Sequence, residues 1–252
     1  MEITSASGAA ALVWLCVAVP LLSSGVLLVA GKRVESWGHW LAVGASGLSL
    51  LVGSAALVQL IGASPEERAM RVRLYRWFAT GDFAVDLSLR VDPLSVTFLM
   101  LVTFVGTLIH VYSVGYMEHD PAKTRFFAYL NLFVASMLLL VLGDSYAVMF
   151  VGWEGVGLAS YLLISFWNQV PAYAAAGKKA FVMNRVGDVG LLAAMMLMVS
   201  SFGTVTFDGV AAGAAKAGSG TLLAIGVLLL VGACGKSAQF PLQAWLGDAM
   251  AG

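Results

Sequence analysis

Asp, Glu, Lys and Arg divide the chain into long apolar blocks. Residues 3–31, 36–65, 93–117 and 126–143 carry no such charge. Block 145–177 holds Glu154, block 180–207 holds Arg185 and Asp188, and block 217–247 holds Lys236. A membrane-spanning helix needs about 20 predominantly apolar residues. Backbone groups in lipid must be satisfied internally, which leaves helices or closed barrels, and these blocks far exceed the roughly 10-residue alternating segments of a barrel. The expected fold is an all-α polytopic membrane bundle of about seven transmembrane helices, near 9–30, 40–61, 94–116, 126–142, 146–167, 181–201 and 221–246.

Two stretches depart from that pattern. Phe83, Val85, Leu87, Leu89 and Val91 alternate with Ala84, Asp86, Ser88, Arg90 and Asp92 after an Ala79-Thr80-Gly81-Asp82 turn signal. The period of two predicts a short β-hairpin, which either contacts a neighbouring subunit or caps the bundle. In the last block, Pro241 follows Lys236 by five residues. Proline removes a backbone donor and clashes with the preceding turn, so the seventh helix is expected to be broken there. The division expected from these features is 1–92, an N-terminal helix pair plus the hairpin segment, and 93–252, the helix set that follows.

Composition agrees. Charged residues are 11% of the 252, hydrophobic ones 60%, and mean hydropathy is +0.89. With 14 acidic against 14 basic residues, neither a disordered acidic tail nor a nucleic-acid-binding face is expected. Cys16 and Cys234 lie far apart in apolar stretches with no metal-ligand spacing, so neither a metal site nor a disulfide is expected. Glu2 stands where a signal peptide would be basic, and the first apolar block reads as a retained helix. Lys32 and Arg33, Lys123 and Arg125, and Lys178 and Lys179 fall in alternate loops, which predicts those loops to be cytoplasmic and the N-terminus and hairpin outside. Arg68, Arg71, Arg73, Arg76 and Arg90 run against that assignment, although Glu66, Glu67, Asp82, Asp86 and Asp92 accompany them.

The charges retained inside the spans carry the chemistry. Each costs about 2.5–3.5 kcal/mol on insertion scales. Glu154 and Asp188 balance Arg185 and Lys236, which favours pairing inside the bundle. Arg185 and Asp188, three apart, can meet on one helix face, where they either orient helices or take part in function. Glu154 lies about eight residues, or roughly 12 Å, into its helix, near mid-membrane. Lys236 precedes the break, and broken helices mark translocation sites in transporters. Burial disfavours the charged form of Lys or Glu and a nearby opposite charge favours it, so a lysine whose acidic partner approaches and withdraws takes up and releases a proton. Lys178 either anchors the membrane boundary or faces inward, seven residues before Arg185 on one stripe. His110 is either a proton relay or a polar anchor.

The run Phe150-Val151-Gly152-Trp153-Glu154-Gly155-Val156-Gly157-Leu158-Ala159-Ser160-Tyr161, with Lys178-Lys179-Ala180-Phe181, Asn184-Arg185-Val186-Gly187-Asp188 and Gly235-Lys236-Ser237-Ala238-Gln239-Phe240-Pro241-Leu242-Gln243-Ala244-Trp245-Leu246, closely resembles the antiporter-like membrane subunits of complex I. Asp92-Pro93-Leu94-Ser95 and Tyr112-Ser113-Val114-Gly115-Tyr116-Met117 add to the likeness, which is strongest to the L-type branch (mitochondrial subunit 5) of bacterial NADH-quinone oxidoreductase. The resemblance implies a multi-pass inner (plasma) membrane subunit that translocates protons, with no cofactor of its own. FMN and iron-sulfur clusters, NADH and quinone would be held by partner subunits, and a neighbouring antiporter-like subunit would adjoin it. Glu154 matches the family's glutamate, Lys236 the lysine of its broken helix, and Arg185 and Asp188 a charged pair that tunes that lysine. The family continues into a further helix past a segment like Asp248-Ala249-Met250-Ala251-Gly252, so the resemblance implies an N-terminal part in which 93–252 is the first antiporter-like helix set, one half-channel less its last helix. A multisubunit sodium-proton antiporter subunit and a membrane-bound hydrogenase subunit are the related alternatives; a scaffold without transport is the unrelated one.

Overall fold

The computed structural model describes residues 3–81 and 83–250. Glu2, Asp82 of the turn signal, and Ala251 and Gly252 of the closing segment lie outside the described residues. Among the described residues, seven helices are long and apolar enough to cross a membrane, as the block pattern predicts. The chain forms two compact units. The first comprises Met1–Tyr75, Leu87–Asp144 and Val151–Val156; the second comprises Arg76–Asp86, Ser145–Phe150 and Gly157–Gly252.

In the first unit β1 (Thr4–Ser5) and a 3-10 turn at Gly8–Leu12 lead into α1 (Trp14–Ala30), followed by α2 (Gly38–Gly62). Strands β2 (Met70–Thr80) and β3 (Phe83–Val91) form the hairpin, of which Arg76–Asp86 counts with the second unit; in the first unit α3 (Pro93–Tyr116) and α4 (Lys123–Leu142) follow. The start of α3 is written in Asp92-Pro93-Leu94-Ser95. Asp92 Oδ1 accepts from the Ser95 N–H at 2.8 Å, and Ser95 Oγ accepts from the Asp92 N–H at 2.9 Å, with Pro93 in the first turn where no donor is needed. Such a cap contributes about 1 kcal/mol. Helix α1 packs on α4 and α2, and α2 on α3. Their core joins Val13, Cys16, Ala56, Leu60, Leu99 and Leu138 to Met70, Val72, Leu89 and Val91 of the hairpin. Leu22, Val29, Leu51, Val58 and Ile61 remain exposed, as lipid-facing positions require.

The sheet holds one strand more than the alternation predicts. Its order is β1-β2-β3, with β1 parallel to β2 and Thr4 opposite Met70. In β3 the predicted inward positions Val85, Leu89 and Val91 are buried, and Ser88 is buried as well.

In the second unit α6 (Pro171–Phe202) is the longest element, 32 residues, starting ten residues earlier than the charge pattern suggests. Lys178 and Lys179 therefore lie inside it rather than at its start, because Pro171 supplies the first-turn signal. It ends at Gly203, whose φ of 69° is the left-handed cap that a side chain rarely adopts. A short α7 (Phe207–Ala214), absent from the sequence expectation, is capped by Thr206 Oγ1 accepting from the Gly209 N–H at 3.2 Å. Then come α8 (Ser219–Lys236) and α9 (Ala244–Ala249), the two pieces of the expected broken helix. Helix α5 (Tyr146–Ile164) is capped by Ser145 Oγ, which accepts from the Val148 N–H at 3.2 Å.

Candidate functional site: a buried ion pair at a helix break

Helices α6 and α8 approach closely because glycines face each other. A Cβ on Gly187 would lie 2.9 Å from the Gly235 Cα, and one on Gly190 would lie 2.8 Å from the Leu228 carbonyl oxygen. Gly232 and Gly235 show the reciprocal contacts, to Leu191 and Gly187. Small residues bring backbones together in membrane helices, where apolar side chains alone give little preference for one neighbour.

That contact sets Asp188, next to Gly187, beside Lys236, next to Gly235. Lys236 Nζ lies 3.8 Å from Asp188 Oδ1, and Arg185 Nε lies 4.0 Å from Asp188 Oδ2. The Asp188 side chain is 3% exposed, that of Lys236 19% and that of Arg185 44%. The Arg185 guanidinium also stacks 4.8 Å over the Phe181 ring. Gly157 of α5 leaves room for the lysine head, since a Cβ there would meet Lys236 Nζ at 2.8 Å.

Lys236 is the last residue of α8. The chain turns through Ser237 and Ala238, whose φ of 50° is left-handed, before Pro241 is reached. Trp245 Nε1 donates to the Gly235 carbonyl oxygen at 3.0 Å, satisfying one of the acceptors that a helix end exposes. Lys179 Nζ pairs with Asp248 Oδ2 at 2.6 Å, tying α6 to α9. The lysine thus stands at an end fixed from both sides.

Of the residues singled out from the sequence, Arg185, Asp188 and Lys236 are brought together. Lys178 is exposed on α6, two turns before Arg185. Glu154 belongs to the first unit, on a segment of α5 held to α4 by close approaches of Gly152 to Leu140 and Gly155 to Ser136. Its Oε1 is hidden from solvent. His110, fully buried, contacts the Gly106 carbonyl through Nδ1 at 2.7 Å and Asn131 Oδ1 through Nε2 at 2.9 Å. Asn131 Nδ2 donates to Ser23 Oγ at 2.8 Å, so the histidine ties α3 to α4 and α1.

One cluster escaped the sequence reading. Asp144, 2% exposed in the α4–α5 turn, forms an ion pair with Arg71 Nε of β2 and lies 3.6 Å from Arg90 Nε of β3. Ser88 Oγ donates to its Oδ2 at 3.4 Å, and its own N–H donates to the Ser88 carbonyl at 3.1 Å. Arg90 reaches Asp92 at 3.7 Å, and in the second unit Arg76 reaches Asp86 at 3.5 Å. Arg71, Arg76 and Arg90, among the arginines that count against the loop-charge rule, are therefore engaged by acids. Only their presence on both sides of the hairpin pattern hinted at this. Among the described residues no group of three or more His, Cys, Asp or Glu side chains is placed to hold a metal ion.

Comparison with known proteins finds two matching family models and several similar chains. Residues 143–252 match the family described as NADH:quinone oxidoreductase/Mrp antiporter, transmembrane, and residues 77–127 match the complex I chain 5 N-terminus. NADH-quinone oxidoreductase subunit L of Mycobacterium tuberculosis is 54% identical over 239 residues, covering 95% of this chain and 38% of that protein. Subunit L of Escherichia coli K12 is 43% identical over 244 residues, 94% of this chain and 39% of that protein. The chain thus spans well under half the length of these relatives. A structure of the Mrp complex from Dietzia sp. aligns with a TM-score of 0.78 at 28% identity, covering 94% of this chain and 25% of that one. An archaeal membrane-bound sulfane sulfur reductase shares the fold, with a TM-score of 0.81 at 19% identity over 95% of this chain and 47% of its own.

Proposed function

The chain belongs to the antiporter-like membrane family of NADH:quinone oxidoreductase and Mrp complexes, and from that premise we propose that it forms a proton half-channel of an L-type subunit of NADH-quinone oxidoreductase. Lys236 carries the proton, Asp188 with Arg185 tunes it, and Glu154 is its switching partner. The observation that carries the reading is the position of Lys236. It ends the broken helix with Nζ 3.8 Å from a buried carboxylate. At that separation the charges attract without the 2.7–2.9 Å bond that would lock the proton in place. Glu154 is three residues before Gly157, the glycine that accommodates the lysine head. Lys178, exposed on α6 two turns before Arg185, is assigned to the same proton path.

In this reading the chain performs no redox chemistry. NADH oxidation and quinone reduction, with FMN and iron-sulfur clusters, take place in partner subunits, and a neighbouring antiporter-like subunit adjoins it in the inner (plasma) membrane. Residues 1–92 flank the half-channel of 93–252, with the N-terminus and hairpin outside. The test is NADH-driven proton pumping in membrane vesicles. Lys236→Ala and Glu154→Gln each reduce pumping while the complex still assembles; unchanged pumping in both variants overturns the proposal.

A second reading, a subunit of a multisubunit sodium-proton antiporter, is favoured by the 28% identity and TM-score of 0.78 to the Mrp complex. Isolation of the assembly separates the two. Co-purified flavin and iron-sulfur proteins support the first, and their absence from an intact assembly with sodium-driven proton exchange supports the second.

A further inference from the structure

Arg185 stands where its charge matters and where ion pairing alone holds it weakly. Its Nε lies 4.0 Å from Asp188 Oδ2, outside hydrogen-bond range, and its side chain is 44% exposed. An arginine side chain also has many rotamers to lose on being fixed. A second contact holds the guanidinium. Its carbon lies 4.8 Å from the centroid of the Phe181 ring, one turn earlier on α6, inside the range of about 6 Å over which a ring face attracts a cation. Phe181 is itself placed by α5, where the Tyr161 ring lies 5.6 Å away at 57°. Aromatic pairs favour such inclined arrangements, with centroids about 4.5–7 Å apart. Both rings are half-buried, so the stack is held by α5 and α6 together.

A row therefore runs from Tyr161 of α5 through Phe181 and Arg185 of α6 to Asp188 and on to Lys236 of α8. Asp188 meets two cations at nearly equal distance, Arg185 at 4.0 Å and Lys236 at 3.8 Å. Free of the ring, a guanidinium three residues from a carboxylate closes into the short, two-pronged bond that arginine and carboxylate favour. Such a bond would take up the oxygens that Lys236 faces. We propose that Phe181 is a positioning residue of the half-channel: the face of its ring holds Arg185 back from Asp188 and so leaves the carboxylate to govern the charge on Lys236. Its role rests on the transport reading given above. Phe181 carries no ionisable group, so nothing in the charge pattern marks it.

The test is NADH-driven proton pumping in membrane vesicles at equal amounts of assembled complex. Phe181→Leu lowers pumping about two- to fivefold, the factor that a partly exposed cation–π contact supplies. Phe181→Tyr, which keeps the ring face, restores it. A phenylalanine analogue with three ring fluorines in place of Phe181 keeps the shape but loses the negative face, and lowers pumping as Phe181→Leu does. Arg185→Gln lowers pumping severalfold, and in that background neither change to Phe181 has a further effect. Three results overturn the proposal: equal loss from Phe181→Leu with and without Arg185→Gln, undiminished pumping by the fluorinated protein, or unchanged pumping in Arg185→Gln. Unchanged pumping in both Lys236→Ala and Glu154→Gln overturns the transport reading and this role with it. Loss in those two variants without coupling between Phe181 and Arg185 overturns the role of Phe181 alone.

Discussion

Breaking the Asp188–Lys236 pair tests whether the two charges hold each other in place. Asp188→Asn keeps the side-chain shape and removes the charge; Lys236→Met does the same for its partner. At 3.8 Å two unit charges attract by about 4 kcal/mol at an effective dielectric near 20. Part of that offsets the desolvation of a carboxylate whose side chain is only 3% exposed. Removing one partner leaves the other charge buried and uncompensated, a loss of about 3–5 kcal/mol. Arg185, 44% exposed and 4.0 Å away, returns little of it, since exposed pairs contribute about 0–1 kcal/mol. Each single variant should therefore lose about 3 kcal/mol. The double variant should lose less than the sum, with a coupling of about 1–3 kcal/mol. Unfolding by sodium dodecyl sulfate in mixed micelles, followed by circular dichroism, measures all four corners of the cycle. Additive losses, with coupling below about 0.5 kcal/mol, would refute the pairing.

Three further substitutions probe the frame around that pair. Gly187→Ala places a methyl 2.9 Å from the Gly235 Cα, where only backbone movement can relieve it, and should cost about 1–3 kcal/mol in the same unfolding assay. Gly157→Ala meets only the mobile end of Lys236, at 2.8 Å; it should change stability by less than about 1 kcal/mol yet lower proton pumping in vesicles by displacing the ammonium group. Asp144→Asn leaves Arg71 and Arg90 beside an uncharged partner, and should cost about 3 kcal/mol. Hydrogen exchange should then quicken at the backbone amides of residues 87–91, with those of α6 and α8 unchanged.

The helices were legible because lipid imposes one rule on every span, and charge-free blocks obey it over 20 residues at a time. Boundaries were less so. The charges Lys178 and Lys179 masked the first turns of α6, which Pro171 actually starts. Pro241 marked the region of the break, but α8 ends five residues earlier, at Lys236. Its last turn is met by Trp245, ten residues away from Gly235, and the helix after the break is tied to α6 by the Lys179–Asp248 pair, 69 residues apart. Contacts of that range leave no local periodicity to read. β1 was invisible for the same reason, since a two-residue strand exists only through its pairing with Met70 and Arg71. Asp188 and Lys236 could be singled out because charge inside a span is costly; Gly187 and Gly235, which bring them together, look like any other small residues until the helices are packed.

The two buried aspartates show why burial alone does not separate a functional charge from a structural one. Asp144 and Asp188 are equally hidden, each 2% exposed. Asp144 is held by Arg71, by Arg90 and by the Ser88 hydroxyl, and its backbone joins β3. Arginine keeps its proton under all relevant conditions and forms directional bonds, so that arrangement fixes the hairpin to the α4–α5 turn and has no proton to pass on. Asp188 faces a lysine at 3.8 Å, beyond hydrogen-bond range, with the half-exposed Arg185 at 4.0 Å, beside a glycine whose missing side chain makes the space the ammonium occupies. Lysine gives up its proton far more readily than arginine when its surroundings change. Exchanging the cations distinguishes the two settings. Lys236→Arg should preserve charge and much of the stability but abolish pumping, whereas Arg71→Lys should weaken the hairpin and spare pumping in folded protein.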